Sequence, residues 1–197
     1  MRQRISDLAD VRSGYQFREK VEHDPLGEVA VIQIKDLTDD FQLDTTGLVR
    51  VSPPKSAPYR VEQGDVLFLA RGLRLGAAAV TDSLGETIAT SYFFILRPSA
   101  TIRPGFLAWA LNQPGFQARM RPLVRGSHIP LITKADFAEL EIDVPPLKTQ
   151  ATIESLDALH RHERKLSRLI EDKRTLMIEA VCHAAATGSH ATPRKKG

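Results

Sequence analysis

Cysteine is almost missing from this sequence: Cys182 stands alone among 197 residues. A single thiol excludes an intrachain disulfide framework and argues against a cysteine-based metal site. No apolar run approaches the roughly 18 to 20 residues needed to cross a bilayer. The charged stretch Met1 to Leu8 holds no apolar signal segment. Glycine-rich phosphate loops are missing as well. Gly72 and Gly76 flank Leu73-Arg74-Leu75, but the spacing and the lack of a following lysine–serine pair defeat that reading. Neither Ser91 nor Ser127 sits in a nucleophile elbow. His160 and His162 lie two apart, which on a helix turns them to different faces and rules out shared metal ligation. Cys182 and His183 are neighbours without a pocket or an orienting third group. No motif pairs two carboxylates around a metal. These absences lead to the expectation of a soluble, cytoplasmic protein, and nothing among these residues carries an enzyme's chemistry or a metal site.

What is present is a foldable composition, 42% hydrophobic and 26% charged, at a length suited to one core-forming domain and one extra long element. The net charge of +3 misleads, because Arg194, Lys195 and Lys196 account for all of it. Position matters more than the sum. Residues 66 to 135 carry 8 basic and 2 acidic side chains, whereas residues 1 to 65 carry 9 basic and 12 acidic. A neutral body with a basic middle section can bind a polyanion through that section, although scattered solvated arginines would give the same count.

The first 150 residues read as a strand-rich domain. Val29 to Ile34, Val49 to Val51, Val66 to Ala70, Ala77 to Thr81 and Thr90 to Leu96 are short apolar or β-branched runs bounded by turn residues. Pro53-Pro54 ends the second of them. A helix opens at Pro104 or Gly105 and runs to Asn112, and a second short helix covers Gly115 to Arg121 because Pro114 cannot sit in a helix interior. Trp109 reads as a core anchor rather than a base-stacking platform. Ile142 to Val144 forms a last strand before Pro145-Pro146. The fold class is therefore a mixed, irregular α/β domain over residues 1–150, followed by one long C-terminal α-helix over 151–183 and a flexible basic tail over 184–197.

That helix has neither proline nor glycine and is built of good helix formers. Leu156, Leu159, Leu166, Leu169, Ile170, Leu176 and Met177 form a broad apolar stripe, interrupted at Glu163 and Lys173. A strict parallel leucine zipper fits poorly, and a wider seam against another helix fits well. Burial by a partner would be worth roughly 1.5–3 kcal/mol for each of these side chains.

Candidate nucleic-acid contacts lie on the connections. Lys35 follows a strong strand, Arg71 and Arg74 frame Gly72, and Arg119, Arg121 and Arg125 precede Gly126-Ser127-His128. Arginine bridges phosphates or makes a two-bond contact to guanine, and serine positions phosphate. Gln33, His128 and Thr133 add groups suited to base edges, and each could equally complete a loop hydrogen bond.

Four segments in order, Leu8 to Phe17, Val31 to Leu37, Gly64 to Phe68 with Arg71-Gly72, and Arg125 to Pro130, resemble the target-recognition domain of Type I restriction-modification specificity subunits. Ile132 to Phe137, then Leu140 to Leu147 and Gln150, resemble its closing segment, which leads into the family's long helix. The resemblance implies a noncatalytic subunit that binds double-stranded DNA sequence-specifically and carries DNA adenine methyltransferase subunits. The S-adenosylmethionine would belong to those partners, and an ATP-dependent restriction subunit joins in restriction assemblies. A usual member has two recognition domains and two antiparallel helices. With one of each, this chain resembles a half-size form completed by a second copy, the striped helix serving as dimer seam or methyltransferase docking surface. The competing reading from the residues is an oligomeric protein-interaction adaptor without sequence-specific DNA binding.

Overall fold

A computed structural model describes residues 1–52, 57–126 and 128–187. The chain divides into two compact units, Met1–Ser155 and the segment from Leu156 onward, and each is described by itself.

The first unit is organised around a four-stranded antiparallel sheet. Its strands are β2 (Ala9–Ser13), β5 (Val66–Leu69), β6 (Gly76–Ala79) and β8 (Phe93–Pro98), in the order β2-β8-β5-β6. Both faces of this sheet are covered, which is why its central strands read as unbroken apolar runs. Val66, Phe68, Phe94 and Leu96 face one cluster, while Leu67, Leu69, Phe93 and Ile95 face another. The alternation follows from the two-residue period of a strand.

On the first face lie three helices: α2 (Pro104–Asn112), α3 (Pro114–Met120) and α4 (Lys134–Ala138). Phe106, Leu107, Leu111, Phe116 and Phe137 fill that layer. Pro104 and Pro114 each stand at a first helical position, where a missing N–H costs nothing. Gln113 thus ends one helix and opens the next, as the proline rule predicts. Trp109 packs against this cluster and lies 5.6 Å from the Phe106 ring. Asn112 ties α2 to the sheet, donating to Ala77 O and accepting from Ala77 N–H, both at 2.8 Å.

On the other face, β3 (Val29–Ile32) pairs antiparallel with β4 (Val49–Val51) and parallel with β7 (Thr87–Ala89). A separate two-stranded ladder joins β1 (Arg2–Arg4) to β9 (Glu141–Asp143), with the single turn α1 (Ile5–Leu8) after β1. The strand expected over Thr90 to Leu96 is broken in the structure. Thr87–Ala89 belongs to the three-stranded sheet, Ser91 and Tyr92 make a turn, and β8 starts only at Phe93.

The long helix α5 covers Leu147–Ala186, starting four residues before the expected Ala151 and ending past His183. Pro146 sets its start: the carbonyl of Pro146 accepts from Thr149 and Gln150 N–H. From Leu156 onward, Arg161 and Asp157 form an ion pair on adjacent turns. The part of the expected basic tail beyond residue 187, and the Pro53-Pro54 strand stop, lie outside the described residues. Among the described residues, no helix is long and apolar enough to cross a membrane.

Candidate nucleic-acid interface

The loop face is assembled by hydrogen bonds between segments far apart in sequence. Arg125 and Leu131 exchange two backbone hydrogen bonds of 2.8 Å, closing a short hairpin. Its tip needs Gly126, whose φ is +93° and whose added Cβ would stand 2.6 Å from Ile129 O. Leu131 also bridges Arg71, and Gly72 N–H donates to Pro130 O at 2.9 Å. Arg71 and Arg125 are thus held on either side of Leu131, both exposed. Two of the expected contact residues, 54 positions apart, meet in one small ladder.

Tyr92 connects this ladder to the segment after β3. The Arg71 guanidinium lies over the Tyr92 ring, 5.7 Å from its centroid, and Tyr92 shares an open cleft with Gln33 and Lys35. Gln33 is aimed by a tight helical turn over Ile34–Asp36. Its N–H donates to the Asp36 carboxylate at 2.8 Å, and Lys35 in the same turn is exposed. Burial pushes the Asp36 carboxyl above the usual range, partly offset by that hydrogen bond and by the Lys35 charge.

The remaining expected residues divide. Arg74 pairs with the Asp39 carboxylate at 2.8 Å and lies over the Phe41 ring. Arg119 donates to Glu141 O and lies over Phe116, so it is engaged with β9 rather than with the ladder. Arg121 is exposed in the helical turn after α3, and His128 is exposed in the hairpin. Ser127 lies outside the described residues. Thr133 completes a local bond: it caps α4, accepting from Asp136 N–H at 3.1 Å and donating to the Asp136 carboxylate at 2.7 Å. Asp136 in turn holds Arg125 at 3.2 Å. Thr133 therefore positions Arg125 through a shared carboxylate.

The residues that sequence reasoning missed are Tyr15, Thr90 and Tyr92. Tyr15 N–H donates to Ala89 O at 2.7 Å, and Ser91 N–H donates to Tyr15 O at 2.8 Å. Gly14 permits this approach, since an added Cβ would meet Thr90 O at 2.2 Å. The one available signal was that glycine directly before an aromatic residue.

In the second unit, the striped residues are exposed: Leu156 62%, Leu159 67%, Leu166 46%, Leu169 50%, Ile170 52%, Leu176 64% and Met177 62%. Ile178 and Val181 extend the apolar surface. Cys182 is a free, exposed thiol, and no group of three or more potential metal ligands gathers among the described residues.

A two-faced sheet whose Arg71 and Arg125 loops meet in one ladder, followed in sequence by a long helix, agrees with the class of restriction-modification specificity domains. The chain belongs to the Type I restriction modification DNA specificity domain family, whose model matches residues 1–180. It is similar in fold to the S subunit of a Type I restriction-modification system from M. genitalium, at 19% identity and a TM-score of 0.56, covering 91% of this chain and 44% of that one. It is also similar to a chain of a type I R-M system solved to explain complex assembly and conformational transition. There the identity is 18% and the TM-score 0.68, covering 91% and 43%. The HsdS subunit from Thermoanaerobacter tengcongensis gives 21% identity and a TM-score of 0.59, covering 85% and 39%. The chain therefore spans less than half the length of each of these relatives. Among curated proteins there is no match.

Proposed function

We propose that this chain is a noncatalytic, sequence-reading subunit of a DNA adenine methyltransferase or restriction-modification complex. The observation that carries the reading is the ladder that joins Arg71, Leu131 and Arg125, in a chain whose family is that of DNA specificity domains. Arginines held by backbone bonds on a rigid scaffold reach phosphate without a large ordering cost.

In this reading the apolar stripe of α5 is covered by a second copy, a methyltransferase subunit, or both. A twofold pair of antiparallel helices sets two identical reading units a fixed distance apart. Its target is then two inverted copies of a short sequence separated by a constant spacer. The methyl donor, S-adenosylmethionine, is bound by the partner methyltransferase, and an ATP-dependent restriction subunit joins where the system cleaves DNA.

Selection of bound duplexes from a random pool, using protein copurified with its methyltransferase, tests this directly. The expected result is an evenly spaced bipartite site, bound with a steep salt dependence. A pool without sequence preference would overturn the reading and favour an oligomeric adaptor.

A further inference from the structure

One row on α5 keeps the alternating three- and four-residue spacing of a coiled coil: Leu156, Leu159, Glu163, Leu166, Ile170, Lys173, Met177 and Ala180. All of these residues lie within the helix and all are exposed. Two of them are charged, and their signs are opposite. Against a wholly apolar partner both charges would lose water without gaining a counter-charge, which is costly. The occupant of this face must therefore offer an acid and a base at matching places.

A second copy of the chain does so, because the row is symmetric about residue 168. With a twofold axis at Arg168 and the helices antiparallel, Leu156 comes opposite Ala180, Leu159 opposite Met177 and Leu166 opposite Ile170. Glu163 comes opposite Lys173. Leu169, beside the row and one residue from the axis, comes opposite its own counterpart. Moving the axis by half a heptad either way sets Glu163 against Leu166 or Ala180, and Lys173 against Leu156 or Ile170. A parallel pair in register sets Glu163 against Glu163 and Lys173 against Lys173. No other register that keeps the rows facing brings the two opposite charges together.

Resting on the self-pairing proposed above, we infer that Glu163 and Lys173 of the second copy form two symmetric ion pairs that select one orientation and one register. A polar pair inside an apolar seam has this effect because every alternative leaves it unmatched. In the single chain Glu163 lies 3.7 Å from His160 on the adjacent turn, an exposed contact that costs little to exchange. A slip of the axis by half a heptad would change the separation of equivalent residues in the two copies by about 10.5 Å. The ion pairs thus also hold that separation constant.

The test is sedimentation equilibrium of the full chain carrying Glu163→Lys, Lys173→Glu or both, with circular dichroism to confirm that each variant folds. Each single exchange should raise the dissociation constant of the pair by about 10- to 100-fold. The double exchange should restore it. An equimolar mixture of the two single variants should pair like the wild type, because each supplies the charge that the other needs. Lys165→Glu, off the row, controls for net charge and should pair normally. Thiol cross-linking in a Cys182→Ser background reads the register. Leu169→Cys should link to its own counterpart. Leu156→Cys and Ala180→Cys should link only to each other, since the two copies of residue 156 lie roughly 36 Å apart at 1.5 Å per residue. A wild type that pairs, with no rescue by the double exchange, equal weakening by Lys165→Glu, or Leu156→Cys linked to itself, would overturn the register and leave self-pairing intact. A wild type that stays single, alone and with its methyltransferase, would overturn both.

Discussion

Gln150 reaches back from the first turn of α5 and accepts the backbone N–H of Arg103, at the start of α2, through Oε1 at 2.9 Å. Its Nε2 donates to Thr101 O at 3.1 Å and Pro145 O at 2.9 Å, so a fully buried amide is completely satisfied. One turn further on, Glu154 accepts from Arg103 Nε at 2.5 Å and from Gly105 N–H at 3.1 Å. The beginning of the long helix is thereby built into the Met1–Ser155 unit by its polar side chains. Gln150→Leu would strand one N–H and two carbonyls in a buried place. It should cost about 2–4 kcal/mol, read from the urea unfolding midpoint. An unchanged midpoint would show that these groups find other partners.

A second polar clamp joins β8 to the residue just before β5 within the four-stranded sheet. Asp65, 2% exposed at its side chain, takes Arg97 Nε at 2.9 Å and Nη2 at 3.0 Å and also accepts from Glu62 N–H. Paired with that carboxylate, Arg97 is held more firmly protonated than usual. Asp65→Ala should destabilise the domain by about 3 kcal/mol, the low end for a broken buried pair. The reason is that Arg97 keeps Glu62 at 3.2 Å and is itself 38% exposed. Denaturant unfolding measures the loss, and a cost under 1 kcal/mol would mean that Arg97 is re-solvated on the spot.

Strands such as β5, and the proline-opened helices α2 and α3, were legible in the sequence because a local rule determines each of them. The strand β2 was not. Ala9–Ser13 alternates over only Ala9 to Arg12, too short to mark a strand, and its backbone is held extended by pairing with β8 residues 81 to 89 positions away, a contact that no local pattern encodes. The break at Ser91–Tyr92 was hidden for the opposite reason, since apolarity continues through it while the hydrogen bonds change sheets. Site residues followed the same division. Gln33 and Lys35 were visible as polar residues ending a strong run, whereas Thr90 looked like part of a strand. Thr133 had a local signature that went unused: Thr133-Lys-Ala-Asp136 is a capping sequence, and the structure uses it as one.

Asp36 gives a pH signature. Burial raises its carboxyl pKa in the folded chain, so the folded state holds that proton more tightly than the unfolded chain does. The stability linked to this group is complete below the ordinary carboxylate value of about 4 and is lost as pH rises through the raised value. Asp36→Asn has no charge to desolvate, and its Oδ1 can still accept the Gln33 N–H. Urea midpoints followed upward from about pH 4 should show the variant gaining on the wild type as pH rises. Parallel curves would show that Asp36 titrates normally.

Arg71 and Arg125 are the first choices for the DNA face because the ladder holds them together while their guanidinium groups stay exposed. Either changed to alanine should weaken binding to unrelated duplexes by the same factor and lower the salt slope by about one, as expected for a lost phosphate contact. Relaxed preference at a single base would mark direct readout instead. Unchanged affinity and slope in both variants would remove the ladder from the interface.

The apolar stripe of α5 carries the assembly part of the reading, and Leu166 lies in its middle. At 46% exposed it is the most covered of the striped residues, yet about half of it still meets water. A partner helix would remove that surface, and each striped side chain would then contribute roughly 1.5–3 kcal/mol if fully buried. In a twofold antiparallel pair one substitution is felt twice, so Leu166→Glu puts two unpaired carboxylates into the seam, where desolvation is costly. Sedimentation at micromolar concentration should show the wild type as a pair and the variant as single chains. Melting of the Met1–Ser155 unit should be unchanged, because Leu166 lies outside it. A variant that stays paired would take Leu166 out of the seam and leave the stripe to the methyltransferase.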